Sequence, residues 1–267
     1  MTDDFSAPRP RIDGTVPHSA RIFNYWLGGK DNYAADQAAG DKFREVFPEI
    51  VDLARSGRQF LVRTVRYLAG EAGIRQFLDI GTGLPTFNNT HEVAQLTAPE
   101  SRIVYVDNDP LVLVHAQALL VGTPEGATDY IEADLHEPEK ILEGAARTLD
   151  LTQPVAIVLM GILAHIGDYD QARSIVRHLL DAVPPGSYLV VRDGADTDPA
   201  YAEAIRRYNE SGAVPYHLRS PEQIAGYLDG LELVEPGVVS CPLWRPDTTD
   251  LGNPIELAVI GAVGRKP

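Results

Sequence analysis

Residues 76–83, QFLDIGTG, run from an apolar segment into two glycines, and the interpretation of the whole chain starts from them. The apolar half is typical of a buried strand, and Gly81 and Gly83 stand where such a strand turns sharply into a helix. A backbone without Cβ atoms can approach a ligand closely at such a turn. A lone G-x-G is weak evidence, because ordinary turns also contain it. Its meaning depends on the segments around it.

Further apolar runs follow at regular intervals, and segments with helical periodicity separate them. The runs are RIVYVDN (102–108), DYIEAD (129–134), VAIVLMG (155–161) and SYLVVRD (187–193). Apolar strands that alternate with amphipathic helices predict a parallel sheet covered on both faces. The segments 231–244 and 255–266 predict a closing antiparallel pair. We therefore expect an α/β, Rossmann-like doubly wound sheet of seven strands, mostly parallel with an antiparallel C-terminal strand.

The N-terminal part of the chain predicts helices and no strands. Apolar residues recur at helical spacing along 49–73, and two shorter helical segments precede them. We expect a flexible tail over 1–17, an N-terminal helical cap over 18–73, and a ligand-binding domain over 74–267 that forms one structural unit with the cap. The tail lacks the apolar core of a signal peptide.

The amino-acid composition indicates which binding partners and which cellular compartment to expect. The chain has 23 basic and 38 acidic side chains and a formal net charge of −15, which disfavours nucleic acid and anionic membranes as partners. Its one cysteine, Cys241, excludes an intrachain disulfide and suits a reducing, cytoplasmic compartment. The most apolar stretch, 155–166, is too short to span a bilayer. The histidine spacing predicts no metal site.

Carboxylates end three of the predicted strands and favour a positively charged cofactor. Asp79, Asp107 and Asp134 fall on the same sheet edge, where Asp107 is placed to accept hydrogen bonds from ribose hydroxyls. Asp79 would repel the pyrophosphate of NAD, whereas S-adenosylmethionine carries an ammonium and a sulfonium. The third glycine of a dinucleotide loop would fall at Thr86, and it is missing. The alternatives are an NAD-dependent oxidoreductase and a non-catalytic protein that binds S-adenosylmethionine or S-adenosylhomocysteine.

The order of these motifs resembles that of class I S-adenosylmethionine-dependent methyltransferases. FLDIGTG, VYVDNDP, YIEADL and VLMGILAHI carry the resemblance within residues 76–194. The segment PHSARIFNYWLGGKDNYAADQAAGD (17–41) is similar to a bacterial methyltransferase family, common in actinomycetes, that was formerly catalogued as a domain of unknown function. The similarity extends from Pro17 to Lys266. It implies transfer of a methyl group to an unidentified acceptor, which we expect to be a small molecule.

The resemblance implies roles for the residues around the glycine loop, residues 81–83. Asp79, Gly81 and Gly83 would hold the methionine part of the cofactor and approach its ribose. Asp107 would bind the ribose hydroxyls, and Asn108 would lie beside the adenine.

Residues after the third and fourth strands complete the implied cofactor site. Asp134 and the Leu135 backbone would contact the adenine amino group, and Gly161 and Ile162 would line the methyl-donor end. The sequence departs from the class pattern at Pro85, which replaces the third glycine and changes the expected conformation of the loop.

The segment LGGKDNY (27–33) has two interpretations. It is not a phosphate-binding loop, because Lys30 is followed by an aspartate and no strand precedes it. It is either a lid over the active site or a helix that packs on the sheet and ends at paired glycines. In the lid interpretation, five residues of this region would contact a ligand: Asn24, Tyr25, Lys30, Asn32 and Tyr33.

His165 is the candidate catalytic residue. It follows the fourth strand in GILAHIGD (161–168), and a histidine there can remove a proton from an oxygen or nitrogen acceptor near neutral pH. The alternative is a histidine that only packs at a strand end. Tyr216 and His217 are weaker candidates for a wall of the acceptor site.

Overall fold

A computed structural model describes residues 13–119, 121–247 and 255–267 of the chain. Most of the tail predicted over 1–17 lies outside the described residues. The helices are α1 (Ser19–Trp26), α2 (Ala34–Val46), α3 (Ile50–Gly70), α4 (Thr90–Thr97), α5 (Pro110–Leu119), α6 (Pro138–Ala145), α7 (Tyr169–Asp181), α8 (Pro199–Asn209) and α9 (Pro221–Gly226). The strands are β1 (Gln76–Ile80), β2 (Arg102–Asp107), β3 (Ala127–Glu132), β4 (Ala156–Met160), β5 (Tyr188–Gly194), β6 (Glu232–Leu233), β7 (Val239–Ser240) and β8 (Val259–Arg265).

The strands form one sheet in the order β3-β2-β1-β4-β5-β8-β6, with β7 also paired to β8. Strands β1 to β5 are parallel, and β8 is antiparallel to β5. The strand order reverses between β1 and β4, so the connections on either side of this point leave in opposite directions. A crevice opens there at the carboxyl edge of the sheet. The predicted Rossmann-like, mostly parallel α/β fold is confirmed.

The closing antiparallel pair differs from the prediction in one detail. The segment 231–244 forms two short strands, β6 and β7, so that the sheet of the described residues has eight strands instead of seven. Pro236, which has no N–H to donate, and Gly237, at φ +86°, lie between them. A pattern of apolar residues does not reveal this interruption.

Each face of the sheet carries its own hydrophobic core. Phe77 and Leu78 are consecutive on β1 and fully buried, and they pack on opposite faces because side chains alternate along a strand. The cap helices α1–α3, together with α4 and α8, cover the Phe77 face, and α6, α7 and α9 cover the other. No helix of the described residues has the length and hydrophobicity needed to cross a bilayer.

Buried contacts of α3 join the cap to the end of the sheet. The Arg63 guanidinium donates to the Trp244 carbonyl at 2.8 Å and to the Cys241 carbonyl at 2.7 Å. Trp244 is fully buried and meets Phe60 edge to face, with 5.5 Å between the ring centroids. Burial raises the pKa of the Cys241 thiol to about 12, so this thiol stays protonated and serves as part of the core.

Replacement of Arg63 tests whether these contacts stabilise the fold. Arg63→Met leaves the two buried carbonyls without their guanidinium donor, and we expect a loss of about 2–4 kcal/mol in the free energy of unfolding, measured in urea. The matched control is Arg66→Met on the same helix. Arg66 pairs with Asp247 at an exposed position, 2.9 Å away, so its loss should cost less than about 1 kcal/mol. Equal effects of the two variants would contradict the assignment.

Candidate functional site

A cavity of about 270 Å³ lies at the carboxyl edge of β1–β5. Its floor is the crevice between β1 and β4, and α1, α3 and α8 contribute to its walls. All nine predicted cofactor-binding residues line it: Asp79, Gly81, Gly83, Asp107, Asn108, Asp134, Leu135, Gly161 and Ile162. The carboxyl ends of the strands therefore bring together residues that are up to 83 positions apart in the sequence, from Asp79 to Ile162.

The glycine loop requires both of its glycines. Gly81 and Gly83 have φ values of +72° and +65°, which side chains rarely tolerate. A Cβ on Gly81 would lie 2.6 Å from the Cβ of Ile162. The Gly83 N–H donates to Asp107 Oδ2 at 2.9 Å, which ties the loop to the end of β2. The loop thus presents its backbone to the cavity.

Asp79 lies under the glycine loop. The Thr90 hydroxyl donates to its Oδ2, and burial raises the pKa of its carboxyl to about 6. The positive charge of Arg58 opposes this rise, so the carboxyl remains mostly ionised at pH 7. Arg58 also lines the cavity and donates to the Phe87 carbonyl at 3.0 Å and to Asn89 Oδ1 at 3.0 Å. The loop therefore has a carboxylate beneath it and a guanidinium beside it.

The ends of β2 and β3 form the acidic part of the cavity. Asp107 is buried, and burial raises its pKa against the opposing hydrogen bonds from the Asp109 and Gly83 amides. Burial also works against ionisation of Asp134, but hydrogen bonds from His136 and Asn108 outweigh it and lower the pKa. The Asn108 side-chain amide donates to Asp134 Oδ2 at 3.1 Å. The carboxylate oxygens of Asp107 and Asp134 can accept hydrogen bonds from hydroxyl and amino groups of a ligand.

The segment after β4 brings His165 to the cavity. A single turn of 3₁₀ helix, Leu163–His165, follows the strand, and the imidazole lines the cavity. His165 Nδ1 lies 2.9 Å from the Pro215 carbonyl, which only accepts, so Nδ1 carries the proton. Burial lowers the pKa of this imidazole. Nε2 keeps its lone pair, and no described residue donates a hydrogen bond to it.

Of the five lid candidates, only Asn24 lines the cavity. The buried Asn24 Oδ1 accepts from the Asp31 amide at 3.1 Å and from Asn32 Nδ2 at 2.9 Å, which shapes the turn after α1. The other four, Tyr25, Lys30, Asn32 and Tyr33, are not among the lining residues. The Tyr25 hydroxyl donates to Asp41, the Arg21 guanidinium stacks over the Tyr33 ring and Lys30 is exposed.

Of Tyr216 and His217, the two weaker candidates for a wall of the acceptor site, only Tyr216 lines the cavity. The Tyr216 hydroxyl donates to Asp193 Oδ1 at 3.1 Å while accepting from the Gly194 amide at 3.2 Å. His217 lies outside the lining, and its amide donates to the Ala164 carbonyl at 2.8 Å.

Several lining residues were not predicted from the sequence. The most prominent are the buried Arg192 on β5 and, from the cap and α8, four aromatic side chains: Phe23, Trp26, Tyr201 and Tyr208. In the sequence, Arg192 is a charge at the end of an apolar run, and the aromatics belong to helices whose orientation only tertiary packing sets. No motif marks them.

Comparison with known proteins identifies the family. The sequence profile described as S-adenosyl methyltransferase matches residues 6–267. A structure of a DUF574 family protein from Streptomyces avermitilis is 47% identical, with a TM-score of 0.92 over 96% of this chain and 100% of the other. A provisionally named methyltransferase from Thermobifida fusca is 42% identical, with a TM-score of 0.88 over 98% of this chain and 99% of the other. No curated protein matches significantly.

More distant structures share the fold alone. An O-methyltransferase family 2 protein from Planctomyces limnophilus is 18% identical, with a TM-score of 0.51 over 88% of this chain and 67% of the other. The resemblance to an actinomycete methyltransferase family is confirmed, and the family is one of methyltransferases and not of nicotinamide-dependent oxidoreductases. The chain belongs to the S-adenosyl methyltransferase family and is a methyltransferase that uses S-adenosylmethionine as its cofactor.

Proposed function

We propose that this enzyme methylates an oxygen or nitrogen atom of a small molecule that binds beneath α1 and α8. The observation that carries the proposal is the continuity of the cavity from the acidic ends of β2 and β3 to the aromatic side chains of the cap and α8. One end suits a nucleoside, and the other suits a compact acceptor. The net charge of −15 argues against a nucleic-acid acceptor.

The lining residues fit S-adenosylmethionine. A Cβ on Gly83 would meet no protein atom within 4 Å, so the loop backbone borders open space there and a ligand can approach it. Asp107 would accept hydrogen bonds from the ribose hydroxyls, while Asn108 and Asp134 would contact the adenine edge. Arg58, beside the glycine loop, is our candidate for the carboxylate of the methionine part.

When bound, S-adenosylmethionine supplies an electrophilic methyl group: the acceptor's lone pair forms the new bond to carbon, and the electron pair of the broken carbon–sulfur bond stays on sulfur, which becomes neutral. The chain's residues orient the acceptor and exclude water. His165 Nε2 would take the proton that the acceptor atom loses. The Pro215 carbonyl keeps the proton of Nδ1 in place and so fixes the tautomer that can act as a base.

The acceptor class is tested by following the methyl group. Protein incubated with a bacterial extract and S-adenosylmethionine labelled in its methyl group should give a new labelled compound in the low-molecular-mass ultrafiltrate, resolved from S-adenosylmethionine by chromatography. The Asp107→Asn variant should transfer little. Label found mainly in the protein or nucleic-acid fraction would contradict a small-molecule acceptor.

The position of the nucleoside is tested by Asp107→Asn, which keeps the size of the side chain and removes its charge. We expect affinity for S-adenosylhomocysteine to fall by about 10–100-fold in calorimetry, because a charge-assisted hydrogen bond to the ribose is lost. Glu132→Gln is the control: Glu132 pairs in register with Asp107 on the neighbouring strand but does not line the cavity. Unchanged affinity in Asp107→Asn would place the nucleoside elsewhere.

The protonation state of His165 is tested by NMR titration, with His165→Gln to assign the signal. We expect a midpoint below the ordinary histidine pKa of about 6.5, because burial penalises the imidazolium. The unfolded chain then binds this proton at a higher pH than the folded one. Stability should therefore fall as the pH drops below about 6.5, and His165→Gln should reduce that fall. A midpoint above 6.5 would contradict this effect of burial, and one well above 7 would leave too little neutral imidazole at pH 7 for the proposed base.

A further inference from the structure

Arg192 is a buried cation in the wall of the active-site cavity. It lies on β5, in register with Met160 on β4, and its side chain is 6% exposed. It lines the cavity together with Gly161, at the end that the sequence assigns to the methyl group.

The Arg192 guanidinium makes no hydrogen bond to any described residue. Its Nε is buried without a partner, and no carboxylate oxygen in the described parts of the chain lies within 4.0 Å of its nitrogens. The neighbouring Asp193 instead accepts from the Tyr216 hydroxyl. The buried Asp193 carboxyl, whose pKa burial raises to about 7, and Tyr216 act on the guanidinium electrostatically without a hydrogen bond to it, and the Phe23 ring centroid lies 5.9 Å from the guanidinium carbon. A buried charge without a hydrogen-bond partner is unfavourable, so the fold alone does not explain its position.

Two glycines leave the space that the guanidinium occupies. A Cβ on Gly57 of α3 would lie 2.8 Å from Arg192 Nε, and a Cβ on Gly161 would lie 2.8 Å from Nη1. Helix α3 and the end of β4 can approach the arginine this closely only because both positions lack a side chain. The local packing therefore accommodates a guanidinium at the cavity wall, and no carboxylate of the described residues forms a hydrogen bond or a close ion pair with it.

The surroundings of Arg192 define the partner that would neutralise it. Phe23, Tyr201 and Ile205 line the same cavity, and the Tyr216 hydroxyl is already engaged with Asp193 and Gly194. A ligand that fits this wall carries one anionic group and an otherwise apolar body. A planar carboxylate matches the geometry of a guanidinium, which can donate two parallel hydrogen bonds.

The order of the strands separates this cation from the nucleoside end. Asp134 follows β3 and Arg192 lies on β5, four strand spacings away, which corresponds to about 19 Å along the edge. Gly161 and His165 lie between them, after β4. Arg58, beside the glycine loop, is the cation that we propose for the carboxylate of the cofactor. Arg192 is therefore available to bind the methyl acceptor.

We infer that the methyl acceptor is a carboxylic acid with an apolar body and that Arg192 binds its carboxylate. The inference rests on the proposed function, because it names the substrate class of the same site. With its carboxylate on Arg192, the acceptor would extend beside Gly161 towards His165 Nε2. Arg192 would thus select anionic acceptors and hold their reactive atom near the methyl group.

The experiment compares carboxylic acids with their primary amides, which have nearly the same shape and no charge. Phenylacetate, indole-3-acetate and hexanoate, each with its amide, are titrated by NMR into protein saturated with S-adenosylhomocysteine. We expect the acids to bind about tenfold or more tightly than the amides. Arg192→Met should abolish this preference and Arg192→Lys should retain part of it. Arg206→Met, at an exposed position of α8, is the control.

Melting temperatures of the ligand-free variants separate binding from structure. Removal of an unpaired buried charge should leave the Tm of Arg192→Met unchanged or higher than that of the wild type. A marked fall in Tm, relative to Arg206→Met, would assign a structural role to Arg192 and overturn the inference. So would equal binding of acids and amides by the wild-type protein, or an acid preference that persists in Arg192→Met.

A further comparison identifies the source of the anion. S-adenosylhomocysteine carries a carboxylate, and methylthioadenosine does not. If Arg192→Met weakens binding of the former and spares the latter, then the cofactor's own carboxylate is the partner, and the inference is wrong. Failure of the wild-type protein to bind S-adenosylhomocysteine would instead contradict the proposed cofactor site. In that case the acid preference, measured without S-adenosylhomocysteine, still tests Arg192 by itself.

Discussion

The reversal of strand order between β1 and β4 is the constraint on which the site depends. Because the connections on its two sides leave in opposite directions, neither of them covers the carboxyl edge at this point. The glycine loop turns there because Gly81 and Gly83 adopt positive φ angles. The ends of β2 and β3 place carboxylates on one side of this loop. The ends of β4 and β5 place His165 and Arg192 on the other. The cap then covers an opening that the sheet itself creates.

Burial gives the ionisable groups at this edge their different chemistry. It raises the pKa of Asp79 to about 6, yet hydrogen bonding from Thr90 and the charge of Arg58 keep this carboxyl mostly ionised at pH 7. It lowers the pKa of His165, which favours a neutral imidazole with a free Nε2. Arg192 cannot escape its charge by losing a proton, because a guanidinium stays protonated in proteins. A buried arginine that has no hydrogen-bonded anion therefore indicates a missing ligand more directly than a carboxyl group does.

The sequence was sufficient for most of the sheet and for the residues that meet at its carboxyl edge, because both follow from strand ends. A residue after a parallel strand lies at the carboxyl edge whatever the tertiary details, so Asp107, Asp134 and Gly161 could be placed before the structure was known. The part of the cavity beneath the cap and α8, where we propose that the acceptor binds, depends on how these helices pack. Helical periodicity does not tell whether Asn24 or Tyr25 faces the cavity, and only the structure shows that Arg192 remains unpaired. The split of β6 from β7 was equally invisible, since it arises at one proline and one glycine.

The central claim is a division of labour along the sheet edge, with the nucleoside over β2 and β3 and the acceptor over β4 and β5. A crystal structure of the complex with S-adenosylhomocysteine tests it most directly. We predict the ribose on Asp107, the adenine beside Asn108 and Asp134, the sulfur facing Gly161, and an Arg192 guanidinium still free of the ligand's carboxylate. A methionine carboxylate paired with Arg192, or a nucleoside bound away from Asp107, would contradict this account.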